Sequence, residues 1–163
     1  LLYLEKGYKK TILFGVSYAL LNLIDYHKFK LDKTIIIETG GMKGNRKELI
    51  KSELHEILKN GFGVENINSE YGMTELMSQA YSIKNEKFKC PSWMRIYIRE
   101  SEDPMTITTN YKSGGINIID LANYNSCSFI ATDDIGKLDK DGNLEILGRI
   151  DKSDQRGCSL LID

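Results

Sequence analysis

The stretch Val64-Glu65-Asn66-Ile67-Asn68-Ser69-Glu70-Tyr71-Gly72-Met73-Thr74-Glu75 reads as a strand over residues 64–69 that breaks into a turn. A short helix is predicted beyond it, over residues 74–81. The turn carries chemistry as well as geometry. An aromatic face such as that of Tyr71 can stack on a purine, and Gly72 lets a flat ring approach the backbone. The hydroxyl of Thr74 and the carboxylate of Glu75 can meet a phosphate and its magnesium ion. The plain alternative makes Tyr71 a core aromatic and Thr74 a helix N-cap, with Glu75 in the first turn. That accounts for Thr74 and Glu75 but not for the Tyr-Gly pair before them.

Upstream, residues 11–14 read as a buried strand, and residues 17–25 as a helix apolar nearly all round and therefore buried. Residues 34–38 are a second, β-branched strand without alternation, the pattern of a parallel sheet covered on both faces. Asn45 is placed to cap the next helix, with Glu48 three residues on as in a capping box. Ile50, Leu54, Ile57 and Leu58 follow at helical spacing, and Asn60-Gly61 ends that helix. Strand and helix alternate three times, which defines an α/β parallel sheet with crossover helices. Ligands of open sheets bind beyond the carboxyl ends of the strands. Glu38-Thr39-Gly40-Gly41 and Glu70-Tyr71-Gly72 both fall there. Gly40, Gly41 and Gly44 can admit a nucleotide close to the backbone, although a plain strand-to-helix turn explains them about as well. No G-x-x-x-x-G-K-[ST] phosphate loop is present.

The second half changes character. Residues 94–99, 105–109, 115–120, 128–131 and 144–147 are short strand candidates, with a turn at Asp139-Lys140-Asp141-Gly142. They predict a small antiparallel, barrel-like subdomain. With a boundary near Asn85, the chain divides into a partial α/β nucleotide-binding subdomain (1–85), a β-rich subdomain (86–152) and a C-terminal tail (153–163). Asp133 and Asp134 are adjacent acids beside a strand, and a carboxylate can accept hydrogen bonds from both ribose hydroxyls. A calcium loop or a solvated turn is the plain alternative. The Asp139 turn echoes an EF-hand, but with Gly142 at position six Lys137 falls at position one. Arg149 can offer a planar donor fork to ribose or phosphate oxygens. A surface salt bridge is its alternative.

The 163 residues are 41% hydrophobic, 28% charged and 9% aromatic, with net charge -1. That is the composition of a globular protein, and it leaves no basic field to hold a nucleic acid. No apolar run approaches the ~20 residues that span a bilayer. The first residue is Leu1, and the chain is read as the C-terminal part of a longer protein. Cys90, Cys127 and Cys158 are widely spaced with no C-x-x-C pair, which argues against a zinc site. A reducing cytoplasm fits them best. Cys90 and Cys127 are expected to be buried and structural. Cys158 follows a glycine in a polar tail near Arg156, which can lower a thiol pKa; on the residues alone a structural and a reactive thiol remain equally open. His27 and His55 are expected to be exposed helix residues.

Tyr71-Gly72-Met73-Thr74-Glu75, Thr132-Asp133-Asp134 and Gly148-Arg149-Ile150-Asp151 resemble the later core motifs of the acyl-adenylate-forming superfamily. Further stretches narrow the resemblance: Thr39-Gly40-Gly41-Met42-Lys43-Gly44, residues 70–79, Pro91-Ser92-Trp93-Met94, residues 116–123 and Asp154-Gln155-Arg156-Gly157-Cys158. Together they are similar to the acyl-protein synthetase family, which includes the long-chain-fatty-acid–luciferin-component ligase of bacterial bioluminescence. The resemblance runs from about Ile12 over almost the whole chain.

It implies that a fatty acid is activated with ATP and magnesium as acyl-adenylate. It further implies transfer to a cysteine near the C-terminus and then to a partner acyl reductase. Under it, Tyr71 would stack on adenine, Thr74 would contact the α-phosphate and Glu75 would hold the magnesium ion. Asp134 and Arg149 would bind ribose, Asp151 would sit at a hinge, and Cys158 would accept the acyl group. The usual Gly of Thr-Gly-Asp is Asp133 here. The superfamily's phosphate loop and its lid with a catalytic lysine have no counterpart in these residues, so this chain alone is expected to be inactive. A coenzyme A ligase like the phenylacetate-activating enzymes shares the adenylate motifs, and a non-catalytic nucleotide-binding module would share the fold.

Overall fold

A computed structural model of the chain describes residues 1–7, 10–42, 44–47, 49–82, 86–100, 103, 105–108 and 112–149. After a single turn of helix, α1 (Leu2–Glu5), two apolar runs form the parallel strands β1 (Thr11–Val16) and β2 (Thr34–Thr39), and the more polar segment Ile67–Tyr71 forms a third, β3. β2 lies between the other two, with Ile36 opposite both Leu13 and Ile67. The crossovers are helices α2 (Ser17–Tyr26) and α3 (Lys51–Phe62). Leu20, Leu21 and Ile24 of α2 bury against Leu54, Leu58 and Phe62 of α3 and against Ile36 and Ile67 of the sheet.

Both helices lie on one face. Ile12, Phe14 and Ile35, whose side chains alternate to the other face, remain 62%, 48% and 38% exposed. The expectation of a parallel sheet covered on both sides is therefore corrected among the described residues. An unbroken β-branched run supplies apolar groups to both faces, but only one set meets a helix here.

The limits of α3 also differ from expectation. The helix begins at Lys51 with Ile50 at its N-cap and no side-chain cap. Asn45 instead donates its backbone N–H to Met42 O in a turn, so it starts no helix; Glu48 lies outside the described residues. Asn60-Gly61 does not end α3. Gly61 stays helical because it lets Ile24 of α2 pack onto the backbone: a Cβ there would sit 2.5 Å from Ile24 Cδ1. The stop comes at Gly63, in the left-handed region at φ 67, with its N–H bonded to Lys59 O at 2.8 Å.

No helix forms over residues 74–81. The chain turns at Thr74 and Glu75 and then forms β4 (Ala80–Ser82), antiparallel to β3. The N–H groups of Met77 and Ser78 bond to the side chains of Asn123 and Asp120 rather than to carbonyls one turn back. Tertiary partners thus take the donors a helix would need.

β5 (Phe88–Lys89), β6 (Met94–Arg99), β7 (Gly114–Asp120), β8 (Phe129–Leu138) and β9 (Leu144–Arg149) complete an open sheet in the order β1-β2-β3-β4-β5-β9-β8-β7-β6. The antiparallel half is as expected, but it runs on from the parallel half through the Phe88–Leu144 pair and does not close into a barrel. The strand expected over residues 105–109 is reduced to a bridge between Ile107 and Arg99; Thr109 lies outside the described residues. Alternate residues Ile96, Ile98, Ile116 and Ile118 bury with Tyr71, Phe88 and Leu144 in a second core. Asp139 closes the β8–β9 turn by accepting the N–H groups of Asp141 and Asn143, each at 2.9 Å. Among the described residues no helix is long and apolar enough to cross a membrane.

Candidate functional site

The β8–β9 hairpin sets Asp134 directly opposite Arg149. Arg149 Nε lies 3.6 Å from Asp134 Oδ1, and its Nη2 lies 3.5 Å from Asp133 Oδ2. Strand alternation separates the two acids: Asp134 is buried at 7% exposure while Asp133 faces solvent. From the other side Tyr71 OH donates to Asp134 Oδ2 at 2.8 Å. Three residues selected from distant parts of the sequence therefore meet at one carboxylate. Burial pushes the Asp134 carboxyl above its ordinary pKa, while the Tyr71 hydroxyl and the Arg149 charge oppose the shift.

Tyr71 is the last residue of β3 and is only 3% exposed, its ring edge-to-face with Phe88 at 6.0 Å. A base stacks on that ring only when the side chains now covering it move aside. Gly72 follows at the strand end. Gly40, at φ 67, and Gly41 are buried just beyond β2. Because β2 and β3 are parallel neighbours, both pairs occupy the same end of the sheet, where Thr39 Oγ1 donates to Glu70 Oε1 at 3.0 Å. Tyr81 OH donates to the other Glu70 oxygen at 2.8 Å. Burial and then that carboxylate push the Tyr81 hydroxyl up to about 12.

Thr74 and Glu75 are exposed on the turn beyond Tyr71, and their side chains form no hydrogen bond or ion pair among the described residues. The backbone around them is fixed by two buried polar residues, one at the end of β7 and one three residues beyond it. Asp120, 0% exposed, accepts the Ser78 N–H and hydroxyl, both at 2.8 Å. Asn123, 2% exposed, accepts the Met77 N–H at 2.8 Å and donates to Glu75 O at 2.6 Å. Trp93 Nε1 donates to Ser78 Oγ at 2.8 Å. An unpaired carboxylate beside a hydroxyl, on a backbone held from below, suits a hard cation and a phosphate.

A second buried polar cluster lies at the helix-covered face of the sheet. Glu38 of β2 is 2% exposed. Ser17 Oγ is 2.9 Å from both Glu38 Oε2 and Gly40 O, and Ser69 donates to Glu38 Oε1. His55 Nε2 is 3.3 Å and Lys51 Nζ 3.4 Å from the same oxygen. Burial alone would raise the Glu38 pKa, but His55, Lys51 and Ser69 outweigh it and hold the carboxyl at about 2. His55 Nε2 is also the atom facing Ser69 Oγ, at 3.1 Å. One ring nitrogen thus meets both groups, which is not the two-sided arrangement of a nucleophile–base–acid relay.

His55 is therefore not the exposed helix residue expected; it is 8% exposed on the inner face of α3, while His27 is exposed as expected. Cys127 is exposed rather than buried. Cys90 is partly buried, which pushes its thiol up to about 11. Cys158 and Asp151 lie outside the described residues. Glu38, Asp120 and Asn123 fall in stretches that the sequence singled out, but no supporting role was read for them, and none was read for His55. Their long-range partners are 13 to 48 residues away, and no local pattern announces such pairs. For Glu38 and Asp120 a signal was available, since a carboxylate inside an apolar strand needs a partner.

The open mixed sheet is, in part, the fold of adenylate-forming ligases. MatB from Rhodopseudomonas palustris, solved with ATP bound, is similar with TM-score 0.62 at 17% identity over 85% of this chain and 31% of MatB. O-succinylbenzoate coenzyme A synthetase (MenE) from Bacillus subtilis, in complex with ATP and magnesium ion, gives TM-score 0.59 at 22% identity over 90% and 34%. The anthranilate coenzyme A ligase AuaEII with anthranoyl-AMP gives 0.59 at 16% over 88% and 30%. The chain thus spans about a third of the length of these structures, and at such identities the likeness is one of fold. No curated protein matches the chain by sequence. The model of the acyl-protein synthetase family, LuxE, matches residues 4–163. The chain belongs to that family.

Proposed function

We propose that the protein containing this chain activates a fatty acid with ATP as acyl-adenylate and passes the acyl group to Cys158. The observation that carries the reading is the Tyr71–Asp134–Arg149 junction, which joins one residue from each of the three adenylate-motif stretches at one carboxylate. Asp134 and Arg149 hold the ribose hydroxyls. Tyr71 orients Asp134 and takes adenine against its ring once the side chains covering it move aside. Gly40, Gly41 and Gly72 admit the nucleotide to the backbone. Thr74 would meet the α-phosphate and Glu75 would hold a magnesium ion, which when bound would supply positive charge to the phosphates.

The fatty acid's carboxylate oxygen attacks the α-phosphorus, the bond to the β-phosphate oxygen breaks, and pyrophosphate leaves. The chain's residues orient and neutralise; they form no covalent bond in this step. The Cys158 thiolate then attacks the acyl carbon and AMP leaves, giving a thioester. A partner acyl reductase would consume that thioester. The double specialisation, adenylate motifs plus Cys158, favours this over the coenzyme A ligases among the structural relatives.

The test uses the longest natural polypeptide that contains this chain, with ATP, magnesium and a panel of fatty acids, followed by intact mass. An acyl-sized gain is expected that requires ATP, is removed by neutral hydroxylamine and is absent in Cys158→Ser. No adduct, with pyrophosphate released when coenzyme A is supplied, would instead identify a coenzyme A ligase. Neither adduct nor pyrophosphate would leave a non-catalytic nucleotide-binding module.

A further inference from the structure

The structure assigns Asn123, supported by Asp120 and Trp93, as the positioning residue that sets the Thr74–Glu75 turn. The assignment rests on the adenylating reading of that turn. Residues 72–79 lack a helix or strand of their own, and their internal backbone hydrogen bond is Leu76 N–H to Met73 O at 3.1 Å. Every other anchor found for Glu75, Met77 and Ser78 reaches in from the end of β7 or from Trp93.

Asn123 uses both ends of one amide. Its Oδ1 accepts the Met77 N–H and its Nδ2 donates to Glu75 O, so the two bonds bracket Leu76, which is 5% exposed. The same Nδ2 reaches Cys127 O at 3.1 Å, and Ser128 Oγ donates to Asn123 O at 3.2 Å. The amide is therefore fixed from behind. An aspartate would lack the donor, and a leucine would lack both groups. Asp120, held at 0% exposure, fixes the next residue, Ser78, through two bonds. The clamp ends on the carbonyl of the residue whose carboxylate projects into solvent. It thereby aims Glu75 without touching the substrate. Outer groups that orient a cation ligand change metal affinity by about 10–100-fold when removed.

The test compares Asn123→Leu, Asn123→Asp and Trp93→Phe with the wild type in the complete polypeptide. Leu58→Val, a core change remote from the turn, is the control for loss of stability. Two readouts are taken: hydrogen exchange of the segment 72–79 without nucleotide, and the magnesium dependence of pyrophosphate release. Asn123→Leu is expected to exchange at Met77 at least about tenfold faster. The magnesium needed for half-maximal rate is expected to rise by about tenfold. Leu58→Val should change neither.

Unchanged exchange in both Asn123 variants overturns the clamp. Faster exchange with an unchanged magnesium response shows a merely structural role and overturns the positioning assignment. Trp93→Phe removes one surface-side bond and keeps the question answerable if Asn123→Leu does not fold; it should shift both readouts in the same direction by a smaller factor, and no shift overturns the assignment. A wild type that releases no pyrophosphate overturns the adenylating reading itself, while the exchange result still judges the clamp.

Discussion

Glu38 gathers Ser17, Ser69, His55 and Lys51 around one carboxylate that is 2% exposed. Replacing it with alanine strands a partly buried lysine together with a buried histidine and two buried hydroxyls, and is expected to cost about 3–5 kcal/mol in urea unfolding. Its pKa is held at about 2 against an ordinary 4.5. Because the folded value is the lower one, the stability it supplies is complete above about pH 4.5 and is lost as pH falls towards 2. Glu38→Gln is expected to flatten that part of the stability–pH curve relative to wild type, and equal slopes would contradict the network. Tyr71→Phe removes the donor to Asp134 and is expected to cost about 1–2 kcal/mol in the same measurement. The site roles of Tyr71, Asp134 and Arg149 were legible in the sequence, because each sits in a local motif. Glu38 and Asn123 also lie in stretches that stand out, but their roles were not legible, because a buried polar side chain is explained by partners far along the chain.

Local signals and packing compete within the elements. The sequence placed β1, α2, β2, β6, β7 and the β8–β9 turn, whose apolar runs and turn residues are strong. It misplaced both ends of α3. Asn60-Gly61 looks like a stop signal, yet Gly61 serves the crossing of α2 over α3 and Gly63 makes the left-handed cap. Gly61→Ala is therefore expected to destabilise by about 1–3 kcal/mol through overlap with Ile24, although alanine is the better helix former. Thermal unfolding decides between them, and a stabilised variant would contradict the tight crossing. Gly63→Ala is expected to lose about 1 kcal/mol from the positive φ, with more from the 2.8 Å approach of its Cβ to Phe29 O. The segment 74–81 has helical spacing but becomes a turn and a strand, since Asn123 and Asp120 claim its donors.

Among the described residues one sheet of nine strands carries both cores, and the Phe88–Leu144 pair, inside the second core, joins β5 to β9 and so makes the sheet continuous. Leu144 is 0% exposed, and Leu144→Ala is expected to cost about 2–5 kcal/mol in chemical unfolding. Ile12, Phe14 and Ile35 leave one face of the parallel half bare, and the chain spans about a third of the solved relatives. Residues 1–163 alone are therefore expected to release no pyrophosphate from ATP and a fatty acid, and release at the full rate would refute this. By itself the sequence determined the parallel strand–helix order, the antiparallel second half and the motif residues that meet at Asp134, because periodicity and turn chemistry are local properties. Tertiary structure alone decided which face of the parallel sheet is covered, that the sheet stays open, and which buried amide and carboxylates hold the Thr74–Glu75 turn and the end of β2. Those outcomes depend on pairing between residues far apart in the chain, whose free energy no local window contains.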